Sequence, residues 1–265
     1  MSLKITRLHD MARRAKSVTN ERADVEAAQL GLASLDELIN TYLESVDVFS
    51  RYETDADTLG KKAKKAKAAA EPTDSPAALD PAAPVPTAVL ADGLAQAPGP
   101  HRITDDEDVV YVAQAIFPHP GRSAGNNYEG PGVPFDLVLR GEPGGRPLFA
   151  QYKAADDTPP YGALLQLLAA SSMMATPRQM ARLQVAYPSG FEQPPALPMD
   201  LALIVNRNGR TKNPIYAKNW DDSLAIVRTI GDQLVKSRQV SRYIRQIRLL
   251  RVDWREGRIV FTELS

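Results

Sequence analysis

Asp136, Gln151 and Lys153 are the side chains of this sequence whose types and spacing could do chemistry together. They fall in FDLVLRGEPGGRPLFAQYK, residues 135–153, where two apolar runs flank a loop rich in Gly and Pro. With 141–146 as the loop of a β-hairpin, Arg140 faces Pro147 and Asp136 falls opposite Gln151. Side chains alternate along a strand. One face then carries Phe135, Leu137, Leu139, Leu148, Ala150 and Tyr152, and the other Asp136, Val138, Arg140, Phe149, Gln151 and Lys153. Directly opposed Cβ atoms lie about 4.5–5.5 Å apart, so the Asp136 and Gln151 oxygens are spaced to grip one hard cation. Mg²⁺ takes oxygen ligands and keeps several waters. It would acidify a bound water and neutralise charge on a phosphoryl oxygen, while Lys153 orients that water or stabilises the developing charge. The alternative is the solvated face of an ordinary amphipathic hairpin.

The elements around the hairpin must position these groups. Thr104-Asp105-Asp106-Glu107 is a capping-box pattern that predicts a helix through about Phe117. A loop over 118–134 leads into the hairpin strands at 135–140 and 147–153. Residues 161–175, YGALLQLLAASSMMA, predict an apolar helix that must be largely buried. Gln166 on it is expected at an exposed edge, the alternative being a polar side chain turned toward the site. DLALIVN, 200–206, has strand length; a helix near 222–238 and a second hairpin around Glu256-Gly257 follow. The class this predicts is α/β, a mixed sheet with helices, preceded by an N-terminal α-helical segment.

Apolar-Asp-apolar, a hairpin loop and then apolar-Gln-x-Lys resembles the PD-(D/E)xK nuclease superfamily. The likeness is to the branch with Gln-x-Lys in the second motif, as in Mrr-type restriction nucleases and related defence nucleases. It covers residues 104–206 and implies a restriction-endonuclease-like core: a helix, a hairpin with the metal ligands, a further helix and a further strand. By this resemblance Asp136 is the metal-binding acid, Gln151 holds the Glu/Asp/Gln position and Lys153 is the catalytic lysine, with Mg²⁺ or Mn²⁺ as cofactor. A further acid is implied: Glu129, seven residues before Asp136, or Glu107, which the capping box already explains. The Pro that the family sets before its acid is replaced by Phe135. The activity implied is Mg²⁺-dependent endonucleolytic hydrolysis of DNA phosphodiester bonds, in a bacterial defence, restriction or mobile-element system. The rival is a non-catalytic, nuclease-like assembly subunit.

The chain has 265 residues, 43% hydrophobic, enough for one good-sized domain and an appendage. Its 32 basic and 32 acidic residues cancel, so DNA binding must come from a local patch. Lys236, Arg238, Arg242, Arg245 and Arg248, with Tyr243 among them, are the candidates for phosphate contact. The chain has no cysteine, which excludes disulfides, thiolate zinc sites and a Cys nucleophile. His9, His101 and His119 suggest no Ser-His-Asp set. GEPGGR joins two strands rather than opening a helix and is no phosphate loop. With no signal-like N-terminus and no apolar run of about 18 residues, a cytoplasmic protein that spans no membrane is expected.

Residues 1–60 predict a helical interaction module, its last helix opened by the capping box Ser34–Glu37. So few helices bury little surface alone, so they are expected to pack on a protein partner, on a second copy, or on the C-terminal domain. Residues 61–100, basic and then rich in Pro and Ala, predict a disordered linker. Residues 101–265 predict the α/β nuclease-like domain.

Overall fold

The computed structural model describes residues 6–16, 21–51, 60–61, 85–97, 100–104, 107–118, 134–154, 159–206, 214–255 and 258–264. The hairpin forms in the register that the alternation predicts. Phe135–Glu142 (β4) returns as Arg146–Lys153 (β5), with Gly141 opposite Arg146, Arg140 opposite Pro147 and Leu137 opposite Ala150. Gly144 and Gly145 close the turn at φ 111° and 67°, which glycine reaches without a Cβ penalty. The ladder stops at Leu137–Ala150, one pair short of Asp136–Gln151. Phe135 still pairs with Ile116 across the other edge of β4, and its ring joins the core opposite Leu137, stacking on Phe149 at 4.5 Å.

On its other edge β4 pairs with Glu107–Phe117 (β3), antiparallel. The sequence predicts a capped helix here, and the structure has a strand. Val109, Val110, Val112 and Ile116 are β-branched and lose χ1 freedom in a helix, while β4 offers partners from Asp108–Glu142 to Ile116–Phe135. The register shifts between Tyr111 and Ala113, and Ala115 beyond it has φ 52°. Gly60–Lys61 (β1) and His101–Thr104 (β2) also pair with β3.

After the hairpin come helices Pro160–Met174 (α5) and Pro177–Ala186 (α6), and then Met199–Val205 (β6), parallel to β5. A third helix, Pro214–Lys236 (α7), leads to Ile244–Arg255 (β7), parallel to β6, and to Arg258–Glu263 (β8), antiparallel to β7. Among the described residues the strands make one sheet in the order β1-β3-β4-β5-β6-β7-β8, with β2 also on β3. The sheet curls until β2 meets β8, where the His101 and Phe261 rings pack edge-on at 6.3 Å. The fold is therefore of the α/β class. Every residue of β6 is buried, as a parallel strand covered on both faces requires.

Helices cover both faces. Leu164 and Leu168 of α5, Val227 and Ile230 of α7, and Val138, Phe149 and Leu203 of the sheet share one core. Leu8 from Arg7–Lys16 (α1), Ala28 from Glu21–Ala33 (α2) and Tyr42 and Val46 from Leu35–Arg51 (α3) belong to that same core. Of the partners expected for the N-terminal helices, the described residues supply the C-terminal domain itself. The predicted capping box does not form: Ser34 Oγ donates back to the Leu30 carbonyl, and Glu37 pairs with Arg7 at 2.5 Å.

The other face belongs to a helix inside the predicted linker, Thr87–Gln96 (α4). Leu90, Ala91 and Leu94 pack there on Leu137, Leu139, Tyr152, Leu250 and Phe261. The sequence reading weighs Pro and Ala as disordering; the apolar side of this short helix orders it by covering the sheet. Most of the remaining linker, 62–84, lies outside the described residues. Among those described, no helix is long and apolar enough to cross a membrane.

Candidate functional site

The parallel strands β5 and β6 run side by side, with Gln151 beside Leu203 and Lys153 beside Val205. The Asn206 N–H donates to the Lys153 carbonyl at 2.9 Å, so the pairing continues past the end of β6. Carboxyl ends of parallel strands are where open α/β sheets bind their ligands. Asp136 opens β4, which runs antiparallel to β5, and so stands at this same end.

Leu203 and Val205 belong to the core beneath α5, so Gln151 and Lys153 point toward that helix. Both are buried. The Asp136 carboxylate accepts the Tyr152 main-chain N–H at 2.9 Å, and its same oxygen, Oδ2, lies 3.9 Å from Lys153 Nζ. Gln151 Nε2 donates to the Pro134 carbonyl. The structure thus brings Asp136 to Lys153 and keeps Gln151 on the side of Lys153. Asp136 and Gln151 offer hard oxygens, the donor type that Mg²⁺ takes. Among the described residues, no group of three or more His, Cys, Asp or Glu side chains could hold an ion.

The acid candidates part company here. Glu129 lies outside the described residues. Glu107 begins β3, near the Asp108–Glu142 pair, whereas Phe135, next to Asp136, pairs with Ile116. That separation is nine residues of strand, about 30 Å at the usual rise. Glu107 is held there by Arg248 and, at 3.5 Å, by Arg245. It is no ligand for an ion at Asp136.

The basic candidates also divide. Arg245 grips Asp200 through two hydrogen bonds, at 2.8 and 2.5 Å, which raise its pKa. Arg248 is buried and pairs with Glu107 and, at 3.5 Å, with Glu263. Both guanidiniums are paired with carboxylates of the chain itself, Arg248 buried and Arg245 still 40% exposed. Lys236, Arg238 and Arg242 are exposed. They lie near the start of β7, whose Ile244 pairs with Met199, while Lys153 sits level with Val205 and Arg251. The patch is therefore at the opposite end of the sheet, about 20 Å from the cluster along the strands.

Two residues that the sequence reading undervalued or missed complete the arrangement. Gln166 is buried, and its Oε1 accepts from Lys153 Nζ at 3.3 Å. The exposed edge expected for it does not exist, because every residue of α5 is buried. A lone amide on a helix with no polar face was the signal available. Asp24 of α2 caps α5 from outside, accepting the Tyr161 and Gly162 N–H groups at 3.1 Å each and the Ser223 hydroxyl at 2.5 Å. Pro159 and Pro160 open α5 with no side-chain cap of their own, so a buried carboxylate from another helix serves its positive end. No sequence pattern announces a cap made across 137 residues.

No protein-family model, curated protein or solved structure matches the chain significantly.

Proposed function

We propose that the chain is a metal-dependent DNA endonuclease with a restriction-endonuclease-like core, hydrolysing phosphodiester bonds. The observation that carries this reading is the meeting of Asp136 and Lys153, 3.9 Å apart, at the carboxyl end of parallel strands. The order of hairpin β4–β5, helix α5 and parallel strand β6 supports it as well. In place of the initial helix of the expected order stands strand β3.

In this reading Asp136 and Gln151 hold Mg²⁺ or Mn²⁺ with an acid outside the described residues, Glu129 being the candidate. The ion, when bound, would supply an acidified water and charge neutralisation at the phosphate. The Lys153 ammonium donates to the attacking water or to a non-bridging phosphoryl oxygen as negative charge builds there. The buried walls around Lys153 strengthen that interaction by excluding water. Lys236, Arg238 and Arg242 can touch the DNA backbone only away from the reacting phosphate, and such contacts would weaken with salt.

One observation favours the rival reading, a nuclease-like assembly subunit: no group of three or more candidate ligands gathers among the described residues. The deciding experiment incubates full-length protein with plasmid and linear DNA in Mg²⁺, in Mn²⁺ and in EDTA. Cleavage that needs the ion and disappears in Asp136→Asn and Lys153→Met is the expected result. Wild-type rates in both variants would remove this site from the mechanism. No cleavage under any condition would favour the assembly subunit.

A further inference from the structure

Gln166 stands among Leu164, Leu165, Leu167 and Leu168 on α5 and is 6% exposed. Its Oε1 accepts from Lys153 Nζ at 3.3 Å, and its Nε2 is buried with no hydrogen-bond partner. A buried N–H without an acceptor is destabilising. Leucine at this position would bury more apolar area and leave no amide N–H unpaired, but it would take an acceptor from the buried Lys153 Nζ. The group that the amide serves is therefore the Lys153 ammonium. The approach of Lys153 to Asp136, at 3.9 Å, is an ion pair too long to be a hydrogen bond. It attracts Nζ without fixing its direction, whereas an amide oxygen on a rigid, fully buried helix fixes it.

We propose that Gln166 is a positioning residue, which orients the Lys153 ammonium beside Asp136 for the hydrolysis proposed above; the purpose rests on that reading, the contact does not. Lys153 would then meet a phosphate oxygen from a preset direction, with little reorganisation as charge develops. Gln166 itself touches no substrate in this scheme. It acts through Lys153.

The test is ammonium proton exchange, measured by NMR on full-length protein labelled with ¹⁵N-lysine, with the Lys153 signal assigned by its loss in Lys153→Met. Wild type should show a protected Lys153 signal. Gln166→Met should exchange about tenfold faster, the effect of losing one charge-assisted hydrogen bond. Gln166→Glu keeps an acceptor and should exchange no faster than wild type. An unprotected signal in wild type, equal exchange in wild type and Gln166→Met, or faster exchange in Gln166→Glu would each overturn the proposal. The Glu variant decides even if the Met variant fails to fold. The readout does not depend on cleavage. Protein that shows the expected exchange but cuts no DNA would sink the nuclease reading and leave the positioning role. Unchanged exchange in protein that cuts would sink the positioning role alone.

Discussion

Lys153 Nζ stands 3.9 Å from Asp136 Oδ2, with the lysine side chain 7% exposed and the aspartate 22%. Truncating this lysine therefore does two things at once. It removes the cation facing Asp136 and leaves a void among core side chains. Lys153→Met removes the charge and keeps most of the volume. Lys153→Ala should be less stable than Lys153→Met by about 1–3 kcal/mol, from the lost methylenes and the cavity, as read from urea denaturation. In a single-turnover assay both should cut DNA at least ~100-fold more slowly than wild type, the scale of losing one donor to developing charge. Equal stability of the two variants would mean that the site relaxes to fill the void.

Gly31 of α2 lies against Tyr161 of α5. A Cβ built on Gly31 would come within 2.7 Å of Tyr161 Cζ and closer still to its hydroxyl. Gly31→Ala should therefore push α2 off the start of α5 and destabilise by about 1–3 kcal/mol. Tyr161→Leu in the same chain should return part of that loss. A double-mutant cycle checks it: additive effects would show that the two residues are not in register.

Ala115 adopts φ 52° in β3, just past the register shift. Left-handed backbone carries a steric penalty for a residue with a Cβ. Ala115→Gly should raise stability by about 0.5–1 kcal/mol, the relief being partly offset by the greater freedom of glycine in the unfolded chain. The urea midpoint should rise with the slope unchanged; a lower midpoint would mean that the methyl group packs better than the backbone is strained.

His9 is fully buried, with Nδ1 2.6 Å from Thr6 Oγ1 and its ring edge-on to Phe49 at 4.9 Å. Burial, reinforced by the charge of Arg13, pushes its pKa down from 6.5 to about 3. Between those values the unfolded chain binds a proton that the folded chain does not. Stability is therefore complete above about pH 6.5 and falls as pH drops toward 3, by at most about 1.4 kcal/mol per unit. His101, whose pKa burial also lowers, acts in the same direction. Urea midpoints at about pH 7.5 and 5 should differ less in His9→Gln than in wild type. An unchanged difference would clear His9 of this role.

The N-terminal helices are predicted to be required for folding of the rest. Asp24 caps α5, Ser45 Oγ lies 2.9 Å from Ser172 Oγ, and Leu8 and Tyr42 close the core. Residues 101–265 expressed alone should bind a hydrophobic dye and lack a cooperative thermal transition. Asp24→Ala in the full chain should cost about 2–3 kcal/mol, since it strands two helix N–H groups and a buried hydroxyl. A stable, well-folded 101–265 fragment would restore the view of residues 1–60 as a separate module.

The hairpin was legible from the sequence because its determinants are local. Alternating Leu137, Leu139, Leu148 and Ala150 fix the faces, and a Gly-Gly turn fixes the register. The burial of α5 was largely plain as well, since it has no polar face to offer water, although the exposed edge expected for Gln166 does not exist. What the tertiary structure decided was everything set by distant partners. The capping pattern at 104–107 is as good a helix signal as Ser34–Glu37, yet it precedes a strand because β4 supplies a ladder. The helix within the Pro- and Ala-rich stretch exists because the sheet has a second face to cover. Arg245 and Arg248 are basic in any sequence count, but Asp200, Glu107 and Glu263 neutralise them across the fold. Gln166 is one amide among leucines until β5 brings Lys153 beneath it. Local spacing determines which residues share a face; the pairing of strands and the packing of helices determine which charges and amides meet there.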